Sequence, residues 1–229
     1  MTSPPPPIKR EKTEREIMAE ALFLYKIAFD KQARATGGRV VWIGQHAFLW
    51  SVIEDKNFDE KWWAGLCSGM AIEWLKMRAT GGDFAANLLA MRTEAFAITA
   101  ANRDTIVEFA TTLLESHRQQ REVDEALALA RLVPCGKKNF PYPFAKMEGA
   151  FARDRYFYIS SAVHSMSAVS DAAGKMDFYD PNVGEVLSTS ARMAGPYLKE
   201  CIDASWKVKG DPEATKKQRS MTVELFTKG

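Results

Sequence analysis

Apolar residues recur at helical spacing through most of the first half of the chain. From 12 to 31, Met18, Leu22, Tyr25 and Phe29 fall on one face with acids and lysines opposite, which predicts an amphipathic helix ended by the TGG at 36–38. RVVWIG at 39–44 is a short strand candidate. A helix is predicted from about 64 to 79, stopped by TGGD, and DFAANLLAMRTEA reads as a further helical stretch. Ile106, Phe109, Ala110 and Leu113 mark a helix over 104–116, and Val123, Ala126, Leu127 and Ala130 one over 122–132. VPCGKKNFPYPF at 133–144 has the Pro and Gly content of a break.

Past residue 150 the period changes. RYFYISSAVHSMSAV alternates and predicts one strand, KMDFYDPNVGEVLS is a second extended run, and ASWKVKG and SMTVELFT read as two more strands. Between them SARMAGPYLKECI is a short helix broken near Gly195-Pro196. Helices first and an antiparallel sheet afterwards predict an α+β fold, with a helical lobe at about 11–132 packed on a sheet lobe at about 150–229 and a cleft where they meet. The four prolines at 4–7 enter neither a helix nor a central strand, so residues 1–10 read as a flexible or polyproline tail and 11–229 as one domain.

Composition narrows the classes. A hydrophobic content of 46% with 11% aromatics fits a packed core. With 31 basic and 29 acidic residues the formal charge is +2, which argues against a nucleic-acid partner bound by phosphate neutralisation; Lys207, Lys209, Lys216, Lys217 and Arg219 read as a solvated basic face. Cys67, Cys135 and Cys201 are odd in number and widely spaced, so neither a disulfide framework nor a zinc site is expected, and no cofactor is implied. Reduced thiols in a cytosol are the simpler expectation. No apolar run approaches the roughly 20 residues that span a bilayer, and MTSPPPPIKREK lacks the apolar core of a cleavable secretory signal, so no integral membrane segment is expected and export would need a dedicated route.

The candidate chemistry starts at Cys67. In a helix beginning near Gly65, Cys67, Met70, Ala71, Trp74, Leu75 and Arg78 form one stripe with the cysteine at its top. Two readings stay open for it: a small apolar filler, or a thiolate stabilised by the helix N-terminus, hence a nucleophile near neutral pH. The second needs a base, and the chain has three histidines. His117 lies at the polar end of a helix and His46 follows the first strand. His164 lies in the alternating run, on the face of Ser160, Ala162 and Met166, with Tyr158 at its far end. If a three-residue loop at Asp171 to Ala173 closes the hairpin, Ser170 pairs with Gly174 and His164 stands opposite Asp180, whose carboxylate can fix the imidazole's tautomer and orientation.

The stretch GLCSGMAIEWL around Cys67 and the stretch VHSMSAVSDAAGKMDFYDPNVGE around His164 and Asp180, in the order Cys, His, Asp, together resemble the YopT/AvrPphB family of papain-like cysteine proteases. That family shows a Gly-x-Cys helix start with a Trp-Leu step, then a strand histidine and an F-x-D-P-N-x-G-E strand; the match covers roughly residues 60–190. The resemblance implies a papain-like fold, Cys67 as nucleophile, His164 as general base and then acid, and Asp180 as the orienting carboxylate. It also implies a bacterial effector or toxin that is secreted and cleaves a protein substrate in another cell's cytosol. One departure stands out. Such enzymes carry an Asn or Gln a few residues before the cysteine as an oxyanion donor, whereas here Glu60, Lys61, Trp62 and Trp63 occupy those positions. The Cys67 backbone N–H supplies one donor, and the Trp62 indole or Gln45 are the candidates for a second. An indole donor leaves an acyltransferase or transglutaminase, or a deamidase, open as an alternative on the same three residues. A catalytically silent binding module, recruiting partners through its helices and prolines, is the alternative of another class.

Overall fold

The computed structural model describes residues 12–44, 66–90, 103–118, 122–209 and 220–229. The first helix, α1 (Glu14–Ala35), starts at a reciprocal cap: Thr13 Oγ1 accepts from the Glu16 N–H, and the Glu16 carboxylate accepts from the Thr13 N–H at 2.8 Å. It buries Ala21, Ala28, Phe29 and Ala33. Strand β1 (Arg39–Trp42) follows, then α2 (Cys67–Thr80), α3 (Phe84–Ala90), α4 (Arg103–Arg118) and α5 (Val123–Ala128). Helix α2 stops at Gly81, whose φ of 80° places it in the left-handed region where glycine carries no Cβ penalty. Among the described residues no helix is long and apolar enough to cross a membrane.

The remaining elements are β2 (Leu132–Pro141), β3 (Arg155–Ser160), β4 (Ser165–Ser170), β5 (Met176–Asp180), β6 (Gly184–Thr189), α6 (Ala194–Lys209) and β7 (Ser220–Lys228). The strands make one sheet in the order β1-β6-β5-β4-β3-β7-β2, antiparallel at every junction. Alternation along the central strands feeds two cores. Tyr158, Tyr179 and Phe226 pack against α2, α3, α4 and α5 on one face, while Phe157, Ile159, Phe178 and Val223 pack against α1 and α6 on the other. Helices thus cover both faces of the sheet, where the hydrophobic pattern predicted a helical lobe against one.

Four local expectations give way to the structure. RYFYISSAVHSMSAV is not one strand but a hairpin: β3 and β4 pair from Arg155↔Ser170 to Ser160↔Ser165. Ser161 makes the turn between them by accepting the Val163 and His164 N–H groups on its hydroxyl, at 3.2 and 3.1 Å, a side-chain substitute for ladder bonds that periodicity does not reveal. The β4–β5 register runs Ser170↔Met176, not Ser170 to Gly174, because Asp171 accepts the Gly174 N–H at 3.0 Å on its carbonyl and the Lys175 N–H at 2.8 Å on its carboxylate, closing a wider loop. His164 therefore does not stand directly across from Asp180. A shift of two residues keeps the β4–β5 parity, but the β3–β4 turn does not keep that of the longer run: Tyr158 lies in the core under α2, and Met166 in the opposite core with Ile159.

The supposed break at 133–144 is mostly β2, a ten-residue edge strand. Pro134 and Pro141 are tolerated because β2 pairs only with β7, and the register shifts between Pro134 and Gly136. ASWKVK is not a strand but the end of α6. Tyr197, Leu198 and Ile202 are buried at helical spacing, and Pro196 sits in the first turn, where a missing N–H breaks no intrahelical bond.

Candidate active site

Helix α2 begins without a side-chain cap and with no acidic residue in its first turn, so its leading N–H groups and the positive end of its dipole remain for another anion. Cys67 is the first helical residue, 8% exposed. The His164 side chain and the backbone N–H groups of Ser165 and Ser68 all act to stabilise its thiolate. The helix is pinned over the sheet by Ser167 Oγ donating to the Ala71 carbonyl at 2.7 Å and by Trp74 Nε1 donating to Glu185 Oε2 at 2.9 Å. Trp74 also stacks on Tyr179 with ring centroids 5.7 Å apart, and Arg78 lies over Trp74 at 5.1 Å while pairing with Asp177 at 3.0 Å. The Trp-Leu step and the final glutamate of DPNVGE thus touch each other.

His164 closes the β3–β4 turn, with its side chain 18% exposed. Its Nε2 is 2.9 Å from Asp180 Oδ1, which leaves Nδ1 as the ring nitrogen for the thiol. Asp180, at the end of β5, is 2% exposed and fully engaged: the Asn182 backbone N–H donates to Oδ1 at 2.8 Å and the Tyr197 hydroxyl from α6 donates to Oδ2. The Asn182 amide nitrogen lies 3.3 Å from His164 Nε2. The turn that delivers Asp180 depends on Gly184. At its φ of 147° an added Cβ would stand 2.1 Å from the Val41 carbonyl oxygen, so β1 can approach β6 only over a glycine.

Electrostatics follow from this packing. Burial pushes the Cys67 thiol up, but the His164 hydrogen bond and charge and the Ser165 and Ser68 N–H groups outweigh it and hold the thiol below its ordinary value. Burial likewise opposes charge on His164, yet Asp180 and then Cys67 raise it to about 10. Asp180 is held below the usual carboxylate range: desolvation works against its charge, and His164, Tyr197 and the Asn182 N–H overcome that. Near neutral pH the arrangement favours a thiolate beside an imidazolium that is itself held by a carboxylate, a combination able to attack a carbonyl carbon and protonate a leaving group.

All three residues singled out from the sequence meet at one end of the sheet, although they come from a helix, a turn and a strand end. His46 lies outside the described residues, and so do Gln45 and Trp62, the two candidates for a second oxyanion donor. Cys135 is exposed on β2 and Cys201 lies on α6, where burial raises its thiol well above the ordinary value. Sequence reasoning missed Tyr197, Ser161, Asn182 and the backbone donor Ser165. Only Asn182 carried a signal, as part of the DPN turn.

No protein-family model and no curated protein matches the chain. Among solved structures it resembles PatoxP, a cysteine protease-like domain of the Photorhabdus asymbiotica toxin PaTox, at a TM-score of 0.53 and 14% identity over 90% of this chain and 59% of that one. The chain has a cysteine protease-like fold. A second resemblance, to the Pseudomonas avirulence protein AvrPphB, has a TM-score of 0.43 and 14% identity over 71% of this chain and 92% of that one. At 14% identity the likeness to PatoxP speaks for the α+β fold alone.

Proposed function

We propose that the chain is a papain-like cysteine endopeptidase in which Cys67 is the nucleophile, His164 the general base and then acid, and Asp180 the group that orients the imidazole. The observation that carries this reading is the 2.9 Å bond between His164 and the buried Asp180, with the imidazole beside Cys67 at the uncapped start of α2 and holding its thiol below the ordinary value. The Cys67 thiolate attacks the scissile carbonyl carbon, and the His164 imidazolium gives its proton to the departing amine. His164, now neutral, takes a proton from water as that water attacks the thioester, and the carboxylate product leaves with the thiolate restored. Asp180 keeps Nε2 engaged throughout, so the ring presents Nδ1 to the reaction. The Cys67 backbone N–H, at the start of α2, is placed to be one oxyanion donor.

The substrate class in this reading is protein, and the setting is a secreted effector or toxin acting in a target cell's cytosol; the toxin domain PatoxP, with the same fold, supports it. The test is expression of the chain, beside its Cys67→Ala variant, in a target-type cytosol followed by a search for new protein N-termini. New termini that depend on Cys67 are the expected result. Their absence, with substrates instead shifted by about 1 Da without scission, would move the same three residues to a deamidase.

A further inference from the structure

Ser68 follows Cys67 in α2 and Ser165 follows His164 at the start of β4, and the main-chain N–H groups of both help to lower the thiol. These elements are far apart in the chain, so the two act together only while the N-terminus of α2 keeps its place over the β3–β4 turn. The side chains of the same two residues converge on a single atom. Tyr158 Oη lies 2.6 Å from Ser68 Oγ and donates to Ser165 Oγ at 2.8 Å. With the phenol proton given to Ser165, the Ser68 hydroxyl is the donor to Tyr158, and the three oxygens form a directed chain. Tyr158, Ser68 and Ser165 are 3%, 1% and 6% exposed, so water does not compete for these bonds.

We propose that Tyr158 is a positioning residue for the Cys67 thiolate: its hydroxyl clamps Ser68, next to Cys67, to Ser165, next to His164, and so holds the start of α2 in place against the turn that carries the imidazole. The proposal rests on the reading of Cys67 as nucleophile and extends it to a residue in β3. The hairpin makes the clamp, since folding β4 back on β3 carries Ser165 to within reach of the Tyr158 hydroxyl. Burial pushes Tyr158 above its ordinary value; the two serine hydroxyls oppose that, while the negative charges of Cys67 and Glu224 add to it. The phenol therefore stays protonated over the range in which the thiol titrates. The groups around the thiol whose charge bears on that titration are His164 and, behind it, Asp180.

The test is the alkylation rate of Cys67 by iodoacetamide against pH, read by site-resolved mass spectrometry on the intact chain, with the exposed Cys135 as internal reference. Tyr158→Phe keeps the ring and removes only the oxygen. It should raise the apparent pKa of Cys67 by about one unit, which is a roughly tenfold slower alkylation at any pH below both values, and leave Cys135 unchanged. Ser68→Ala keeps its backbone N–H but cuts the clamp, so it should shift Cys67 similarly, and the double variant should shift it no further than either single one. An unchanged Cys67 profile in folded Tyr158→Phe, or shifts that simply add in the double variant, overturns the proposal. If Tyr158→Phe does not fold, Ser165→Ala cuts the other end and is judged by the same criteria. A wild-type Cys67 that titrates together with Cys135 would instead remove the nucleophile reading, and the clamp with it.

Discussion

At the scale of single residues, the site is a line of side chains in which each holds the next in one state. Cys67→Ala, His164→Ala and Asp180→Ala should each reduce cleavage by several orders of magnitude without loss of folding, and the losses should be strongly non-additive because the three act as a unit. Asp180→Asn should keep a trace, since an amide oxygen still orients the ring. Rate against pH should rise as the lowered Cys67 thiol ionises, stay level, and fall as pH passes about 10, where the imidazolium loses its proton. Both ionised groups stabilise the fold, with opposite pH dependence. That of His164, raised from 6.5 to about 10, is fully present below 6.5 and lost as pH climbs through 10. That of Asp180, depressed from 3.8, is present above 3.8 and lost on acidification through its lower folded value. Tyr197→Phe removes a donor to the Asp180 carboxylate, so it should raise the Asp180 pKa, read by NMR as a higher acid midpoint for that carboxyl.

At the scale of elements, three junctions place the site: the uncapped start of α2, the Ser161-built turn that ends at His164, and the turn from Asp180 to Gly184. The last is the most brittle. Gly184→Ala should destabilise the protein by about 3 kcal/mol or more, read as a lower denaturant midpoint, because the new Cβ meets the Val41 carbonyl oxygen and the residue is held at a φ that only glycine adopts readily. Gly81→Ala, also at positive φ but with open space around its Cβ, should cost only about 1 kcal/mol. The contrast between the two separates steric collision from backbone preference. The helices were legible because their buried faces repeat along the sequence, as Phe29 and Ala33 do in α1 or Ala126 and Ala130 around α5. The β3–β4 turn was not, because a serine hydroxyl makes it and alternation continues on both sides of it.

At the scale of the whole molecule, the sheet divides two cores and carries the site at one end. The first core packs on α2 and sets Cys67; the second packs on α6 and supplies Tyr197 to Asp180. The two halves of the site are therefore anchored on opposite faces of the sheet, and a change deep in either core should register at the thiol. Chain economy at the N-terminus is a separate expectation. The cap of α1 is complete with Thr13 and Glu16, so a chain starting at Arg10 should unfold cooperatively at the same midpoint as the full one, measured by thermal melting. A lost or broadened transition would place the proline tail on the core.

The sequence by itself determined the α+β character and the run of helices, and it offered Cys67, His164 and Asp180 as candidates in that order, because periodicity and residue type are local properties of a chain. Parity in the sheet is nearly as local: the register moved by two residues and the facing of His164 and Asp180 survived it. Only the tertiary structure decided that helices cover both faces, that 133–144 is mostly an edge strand, and that ASWKVK belongs to a helix, since each depends on which neighbour buries which side chain. It alone also decided the company of the three residues. Tyr158, Ser68, Ser165 and Tyr197 are ordinary where they stand in the chain, and only packing brings their hydroxyls, from four separate elements, within hydrogen-bonding reach of one another or of Asp180.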